Sequence, residues 1–219
     1  MNPQEIAWQC ASLLLAYPDE RVLADLPLVR GAAADLPRRL GEPLLRVVDH
    51  LEREPLAQLQ ESYVETFDNR RRCNLYLTYF AHGDTRKRGT ALLRFKQTYL
   101  ASGLVLDESE LPDHLCVVLE FAATADPERG RALLLDHRAG LELLRLALAD
   151  EGSGWAGAVE AVCATLPPLR GEERDAVRRL AAEGPPAEEV GLTPYGTPQF
   201  DPALQQRTVD LPMPSVRGA

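Results

Sequence analysis

Apolar residues recur at helical spacing along most of this chain. Ile6, Cys10 and Tyr17 fall on one helical face and Pro18 ends the pattern, so a first helix is predicted over roughly residues 4–17. Alternation of apolar and polar residues between hairpin turns, which would indicate strands, is not convincing in any segment. The pattern therefore predicts an all-α protein.

Seven further helices follow from the same spacing and from residues suited to cap helices. They are predicted near residues 44–51, 56–67, 85–102, 114–124, 127–151, 155–166 and 172–182. Asp84, Asp113 and Asp126 are suited to cap the N-termini of three of them, and Gly103 is placed to end one in the left-handed conformation. We expect a compact single-domain bundle of about eight to ten helices.

The composition changes near the C-terminus. Seven prolines fall between residues 185 and 214, and helical periodicity is not sustained there. We expect a helical domain over residues 1–183 and an irregular, Pro-rich tail over residues 184–219 that is disordered or only loosely docked.

No apolar run approaches the roughly 20 residues that a membrane-spanning helix needs, so stable membrane insertion is not expected. The N-terminal residues lack the basic and apolar regions of a secretory signal, which predicts a cytoplasmic protein. Eight basic residues and one acid lie between residues 70 and 96, a charge of +7 in a chain of net charge −9, which leaves −16 elsewhere. Such an acidic surface repels nucleic acid and favours a basic partner peptide.

Residues for catalysis or metal binding are not clustered in the sequence. The four cysteines and four histidines are widely separated, and no phosphate-binding loop or dinucleotide-binding glycine motif is present. We therefore expect no enzymatic activity, no metal site and no resident cofactor.

Three segments nevertheless look too particular for ordinary helix surface: YVETFD at 63–68, HGDTRKRG at 82–89 and ELPDHL at 110–115. Each also has a plain structural interpretation. Tyr63 and Phe67 are spaced for packing in the core, the basic run suits a solvated helix face, and the acids of the third segment suit helix capping.

At these segments the chain resembles the delta subunit of respiratory nitrate reductase, the NarJ family of molybdenum cofactor assembly chaperones, within the broader TorD-like chaperones. LLLAYP at 13–18 is similar to the family as well. The resemblance covers roughly residues 5–165 and depends on the spacing of several motifs, which makes it more specific than any one of them. It implies a TorD-like helical fold.

The resemblance also implies a function. Such a chaperone binds the N-terminal segment of the apo catalytic (alpha) subunit of nitrate reductase, permits insertion of the molybdenum cofactor into that subunit and delays its membrane anchoring. Proteins that deliver the molybdenum cofactor are further candidate partners. A groove with apolar walls and an acidic rim suits capture of a basic amphipathic peptide.

The candidate peptide-binding residues lie in the motifs or near them. They are Tyr63, Phe67, Asp68, Tyr76, His82, Asp84, Arg86, Arg88, Glu110, Asp113, His114 and Glu120. Glu110, Asp113 and Glu120 are the candidates for the acidic rim. Arg86 and Arg88 are expected to pair with Asp68 or Glu110, with contact to a cofactor phosphate as the alternative.

Two other functions remain open at this point. A chaperone that proofreads the twin-arginine signal peptide of another molybdoenzyme would look similar, although the DTRKRG run at 84–89 fits the nitrate reductase family better. An RNA-binding protein that uses the +7 segment would show affinity for nucleic acid that falls steeply with salt, whereas the chaperone would show none at physiological salt.

Overall fold

The computed structural model describes residues 1–83, 85–106 and 110–184. This part of the chain forms eleven α-helices and one 3-10 turn at Arg71–Cys73, and the predicted all-α fold is confirmed. The helices are α1 (Pro3–Leu14), α2 (Glu20–Ala34), α3 (Arg38–Arg53), α4 (Leu56–Phe67), α5 (Leu77–His82), α6 (Arg86–Ala101), α7 (Leu115–Thr124), α8 (Pro127–Asp136), α9 (Arg138–Asp150), α10 (Ala156–Thr165) and α11 (Gly171–Glu183). The predicted tail lies, from residue 185 onward, outside the described residues.

Two helices were not predicted from the sequence. One is α2, whose N-terminus is capped by the Asp19 side chain through a 2.8 Å hydrogen bond from Val22 N. Only Leu26, Val29 and Ala33 are buried along its length, so its apolar stripe is narrow. The other is α5, which at six residues is too short to show a period.

The single helix predicted over residues 127–151 is wrong. The chain forms α8 and α9, and it leaves helical geometry at His137, where φ is −109° and ψ is 20°. The new direction brings Gly140 of α9 against the Phe80 ring, where a Cβ atom on Gly140 would lie 2.8 Å from the Phe80 Cβ. This close approach explains why a glycine occupies the first turn of α9.

The core surrounds α1, which packs against α2, α3, α7 and α10. Trp8 of α1 is buried, and its indole Nε1 donates a 2.9 Å hydrogen bond to Thr165 Oγ1 at the end of α10. One turn further along α1, Ser12 Oγ donates to the Cys116 carbonyl in the first turn of α7. Polar groups that α1 buries therefore hold α7 and α10 in place.

Candidate peptide-binding surface

The YVETFD segment forms the end of α4 and is anchored in the core. Tyr63 and Phe67 are both buried, and their rings lie 5.6 and 5.7 Å from the Trp155 ring. The Tyr63 hydroxyl donates a 2.9 Å hydrogen bond to the Leu15 carbonyl. These two candidates therefore have the core-packing role, and they fix the point at which Asp68 emerges at the surface.

A short antiparallel bridge joins the ELPDHL turn to the residues just before α5. Leu77 N donates to the Asp113 carbonyl at 3.0 Å, and Leu115 N donates to the Leu75 carbonyl at 2.8 Å. The bridge places the Tyr76 ring beside the His114 ring, with 5.1 Å between their centroids. Segments far apart in the sequence thus meet as one surface.

Asp113 lies beneath this surface with none of its area exposed. Its Oδ2 accepts hydrogen bonds from Thr78 N at 3.1 Å and from Thr78 Oγ1 at 2.5 Å. The expectation that Asp113 belongs to an exposed acidic rim is therefore wrong, and so is its assignment as a helix cap, because His114 occupies the N-cap position of α7. A buried carboxylate needs partners of this kind to offset its lost hydration.

Arg88 completes the buried cluster. Its guanidinium lies 3.8 Å from Asp113 Oδ2, donates to Thr78 Oγ1 at 3.2 Å, and sits over the Tyr76 ring at 5.3 Å from the centroid. The sequence predicts that Arg88 pairs with Asp68 or Glu110. Within the part of the chain that the structure describes, it pairs with neither of these two residues. Arg88 instead connects HGDTRKRG to ELPDHL through Asp113.

Three carboxylates of the motifs or near them, Asp68, Glu110 and Glu120, are exposed. Burial raises the pKa of Tyr76, and the charges of Glu110 and Asp68 are among the groups that raise it further. Burial likewise raises the pKa of the Cys116 thiol, with Glu110 and Glu120 adding to the effect. Each of these three exposed acids acts electrostatically on Tyr76 or Cys116, and together they are named the acidic rim.

His114 lies half-buried within this rim. Burial lowers its pKa, while the charges of Glu110 and Asp113 act in the opposite direction. The imidazole therefore stays neutral at neutral pH unless a bound ligand brings further negative charge.

An apolar groove of about 280 Å³ adjoins the rim. One side of the groove is α7, and the other side is the end of α6 together with residues 104–106. Its lining is Tyr99, Leu104, Val105, Leu106, Val117, Glu120, Phe121 and Thr124. Glu120 belongs to both the groove and the rim, and the Tyr99 hydroxyl fastens α6 to the ELPDHL turn through a 2.6 Å hydrogen bond to the Pro112 carbonyl.

The remaining candidates lie elsewhere. Arg86 is exposed in the first turn of α6, and His82 is half-buried at the end of α5, where it lines a separate hollow with Lys87, Arg94 and His137. Asp84 and its predicted role as a cap lie outside the described residues. The N-cap position of α6 belongs to Thr85, whose hydroxyl donates to the His82 carbonyl and makes no capping bond to α6.

Sequence reasoning missed Thr78 and the apolar walls of the groove. Thr78 carries no signal in the sequence, because only its burial beside Asp113 makes its hydroxyl important. The run of Leu104, Val105 and Leu106 after Gly103 was a usable signal, since three apolar residues that follow a helix end are often covered or bound. Val105 is 84% exposed in this structure.

Among the described residues, no three His, Cys, Asp or Glu side chains are arranged to hold a metal ion. In the same ranges, no helix has the length and apolar character required to cross a membrane.

The fold is that of the TorD-like redox enzyme maturation proteins. A candidate redox enzyme maturation protein from Archaeoglobus fulgidus, known from a crystal structure, superposes with a TM-score of 0.57 and 26% sequence identity. The match covers 74% of this chain and 92% of that protein.

The nitrate reductase delta subunit family matches residues 33–161, and the chain belongs to this family. A Bacillus subtilis relative named as the nitrate reductase molybdenum cofactor assembly chaperone NarJ is 35% identical over 74% of this chain and 89% of its own length. The Escherichia coli K12 chaperone NarJ is 32% identical over 66% of this chain and 63% of its own.

A longer relative is the nitrate reductase-like protein NarX of Mycobacterium tuberculosis H37Rv. It is 46% identical over 74% of this chain, and the chain spans about a quarter of it, 24% of its length.

Proposed function

We propose that this protein is a non-enzymatic chaperone for the assembly of respiratory nitrate reductase. It acts in the cytoplasm on the apo catalytic subunit, binds the N-terminal segment of that subunit, and holds it open while the molybdenum cofactor is inserted. Proteins that deliver the cofactor meet the chaperone with its bound subunit. Release of the segment then allows membrane anchoring.

The observation that carries this proposal is the apolar groove with its acidic rim at the ELPDHL turn. The walls are formed by residues such as Val105, Val117 and Phe121, and exposed carboxylates lie at Glu110, Glu120 and Asp68. Apolar walls bind the apolar face of an amphipathic helix, and exposed acids select a peptide whose polar face is basic. The names of the B. subtilis and E. coli relatives agree with this role.

The groove limits what it can hold. A volume of about 280 Å³ accommodates a few apolar side chains, which corresponds to a short peptide segment and not to a folded domain. Extended contact along the rim adds electrostatic selectivity, whose contribution falls as ionic strength rises. The expected ligand is therefore a short, basic, amphipathic segment that is accessible before its subunit finishes folding.

Calorimetric titration tests the proposal. The ligand is a synthetic peptide of the N-terminal segment of the partner nitrate reductase catalytic subunit, compared with a scrambled peptide and with a twin-arginine signal peptide. We expect saturable one-to-one binding of the authentic peptide alone. Preference for the twin-arginine peptide would reassign the protein to signal-peptide proofreading, and absence of binding to all three would refute a peptide-binding role for the groove.

A charge-reversal pair then locates the binding surface. Glu110→Lys with Glu120→Lys removes two rim acids, and Asp25→Lys with Glu54→Lys changes the net charge equally at two exposed sites on α2 and at the end of α3. The rim variant should bind the peptide at least about tenfold more weakly, since each charge contact contributes on the order of 1 kcal/mol. Equal losses in both variants would show a general charge effect and not a rim.

A further inference from the structure

Helix α6 exposes a stripe of leucines on the side that faces solvent. Leu93 and Leu100 are 57% and 58% exposed and lie seven residues apart, which places them on the same face two turns from each other. Arg86 and Lys96 are exposed and flank the leucines on this face. The aromatic residues of α6, Phe95 and Tyr99, are buried on the opposite side.

The charge around this face differs from the rest of the chain. Residues 85–106 contain five basic residues and no carboxylate, a charge of +5 in a chain of −9, which leaves −14 on the remainder. Arg88 and Arg94 form ion pairs with Asp113 and Asp136.

We propose that the outer face of α6, formed by Arg86, Leu93, Lys96 and Leu100, docks on the surface of an anionic lipid bilayer. The leucines enter the boundary between headgroups and acyl chains, and the long basic side chains extend to the lipid phosphates. A helix that lies in the plane of a bilayer has this arrangement of leucines between Lys and Arg.

The composition of the face favours lipid over a protein partner. The centres of protein interfaces are enriched in aromatic residues and depleted of lysine. This face has the opposite character, because Lys96 lies beside the leucines and both aromatic residues of the helix are buried. Lipid phosphates also need no fixed geometry from their partners, which suits cations on flexible side chains.

The remaining charge orients the protein. An anionic bilayer repels a body that carries −14, which favours an approach with the basic α6 face towards the lipid. Docking through two leucines and a few cations is weak and reversible, and it differs from the insertion of a spanning helix. The expected behaviour is a peripheral association that salt weakens.

Sedimentation with vesicles tests the proposal on the full chain. Vesicles of phosphatidylglycerol mixed with phosphatidylcholine are compared with vesicles of phosphatidylcholine alone, at low and high salt. We expect binding to the anionic vesicles only, and loss of that binding at high salt. Leu93→Ser with Leu100→Ser, and separately Arg86→Glu with Lys96→Glu, should each lower the partition coefficient about tenfold or more.

Matched controls come from other helices. Leu28→Ser changes a leucine of α2 that is 73% exposed, and Arg21→Glu with Arg39→Glu makes the same change in net charge at exposed positions. Both controls should bind vesicles as the parent protein does, and circular dichroism checks that every variant is folded.

Other results would overturn the proposal. Absence of binding to anionic vesicles, or equal loss in the α6 variants and their controls, removes this face as a membrane contact. Light scattering that shows a dimer lost in the α6 variants would assign the face to a second copy instead. Peptide titration of the same variants keeps this test separate from the chaperone proposal, since the rim acids are unchanged.

Discussion

The hydroxyl of Thr78 donates a 2.5 Å hydrogen bond to the buried carboxylate of Asp113, and the backbone N–H of the same threonine donates a second. One residue at the start of α5 therefore provides two of the bonds that keep this carboxylate in the interior. Because Arg88 binds the same pair, the cluster joins α5, α6 and the ELPDHL turn.

Loss of the Asp113 charge is expected to destabilise the fold. Asp113→Ala removes the acceptor of both Thr78 donors and the buried carboxylate beside Arg88, which should cost about 3–5 kcal/mol of unfolding free energy. Thr78→Val removes only the hydroxyl and should cost about 1–3 kcal/mol. Urea unfolding followed by circular dichroism measures both. One ordinary hydrogen bond contributes roughly 1 kcal/mol. An unfolding free energy of Asp113→Ala that lies within about that amount of the parent value would contradict the prediction.

Glycine at 157 is expected to be required where α10 crosses α3. A Cβ atom there would lie 2.1 Å from the Pro43 carbonyl oxygen, and backbone cannot move aside as a flexible side chain can. Gly157→Ala should therefore lower the unfolding free energy by about 1–3 kcal/mol. Gly31→Ala is the matched control, because its Cβ would meet open space inside α2, and alanine there should stabilise by up to about 1 kcal/mol. An increase in the unfolding free energy of both variants would show that α10 and α3 leave room for a Cβ atom at residue 157.

Stability is expected to fall in mild acid because of three histidines. Burial lowers the pKa of His50, His114 and His137 below the ordinary value. The unfolded chain, whose histidines titrate near pH 6.5, therefore takes up protons first, and the unfolding free energy should drop as the pH falls below about 6.5.

Urea midpoints between about pH 8 and pH 5 measure this slope. Replacement of the three histidines by glutamine should flatten it. An unchanged slope in that variant would assign the acid sensitivity to other groups.

The apolar wall of the groove is expected to contribute to peptide binding without supporting the fold. Val105→Asp should weaken binding of the authentic peptide by about tenfold, since it places a charge where an apolar side chain docks. Because the Val105 side chain is 84% exposed, the unfolding free energy of the Val105→Asp variant should differ from that of the parent protein by less than about 0.5 kcal/mol. Leu28→Asp, at a similarly exposed leucine, should leave peptide affinity unchanged.

Sequence patterns predicted the helices whose apolar stripe is wide, such as α3 and α4, and they predicted the fold class. They missed α2 because its apolar stripe is narrow, and they merged α8 with α9 because periodicity cannot register a change of direction at His137. Tertiary packing of Gly140 against Phe80 decides that direction.

The site was predictable in its parts and not in its arrangement. The three motifs were identified from the sequence, yet Asp113 and Glu110, which are three residues apart, have opposite environments: one is fully buried and the other exposed. The difference arises because the bridge between residues 75–77 and 113–115 holds Asp113 in the interior, whereas Glu110 lies before the bridge. Long-range pairing of this kind leaves no local signal.

The bridge between Tyr76 and His114 also bears on the order of folding events. It closes a loop of nearly forty residues with two backbone hydrogen bonds, whereas each helix forms through contacts between residues near one another in the sequence. Segments held by few non-local bonds form late and open first in native-state fluctuations. Exchange of the Leu77 and Leu115 amide hydrogens with solvent therefore gauges whether the peptide-binding surface is assembled, independently of whether the bundle beneath it remains folded.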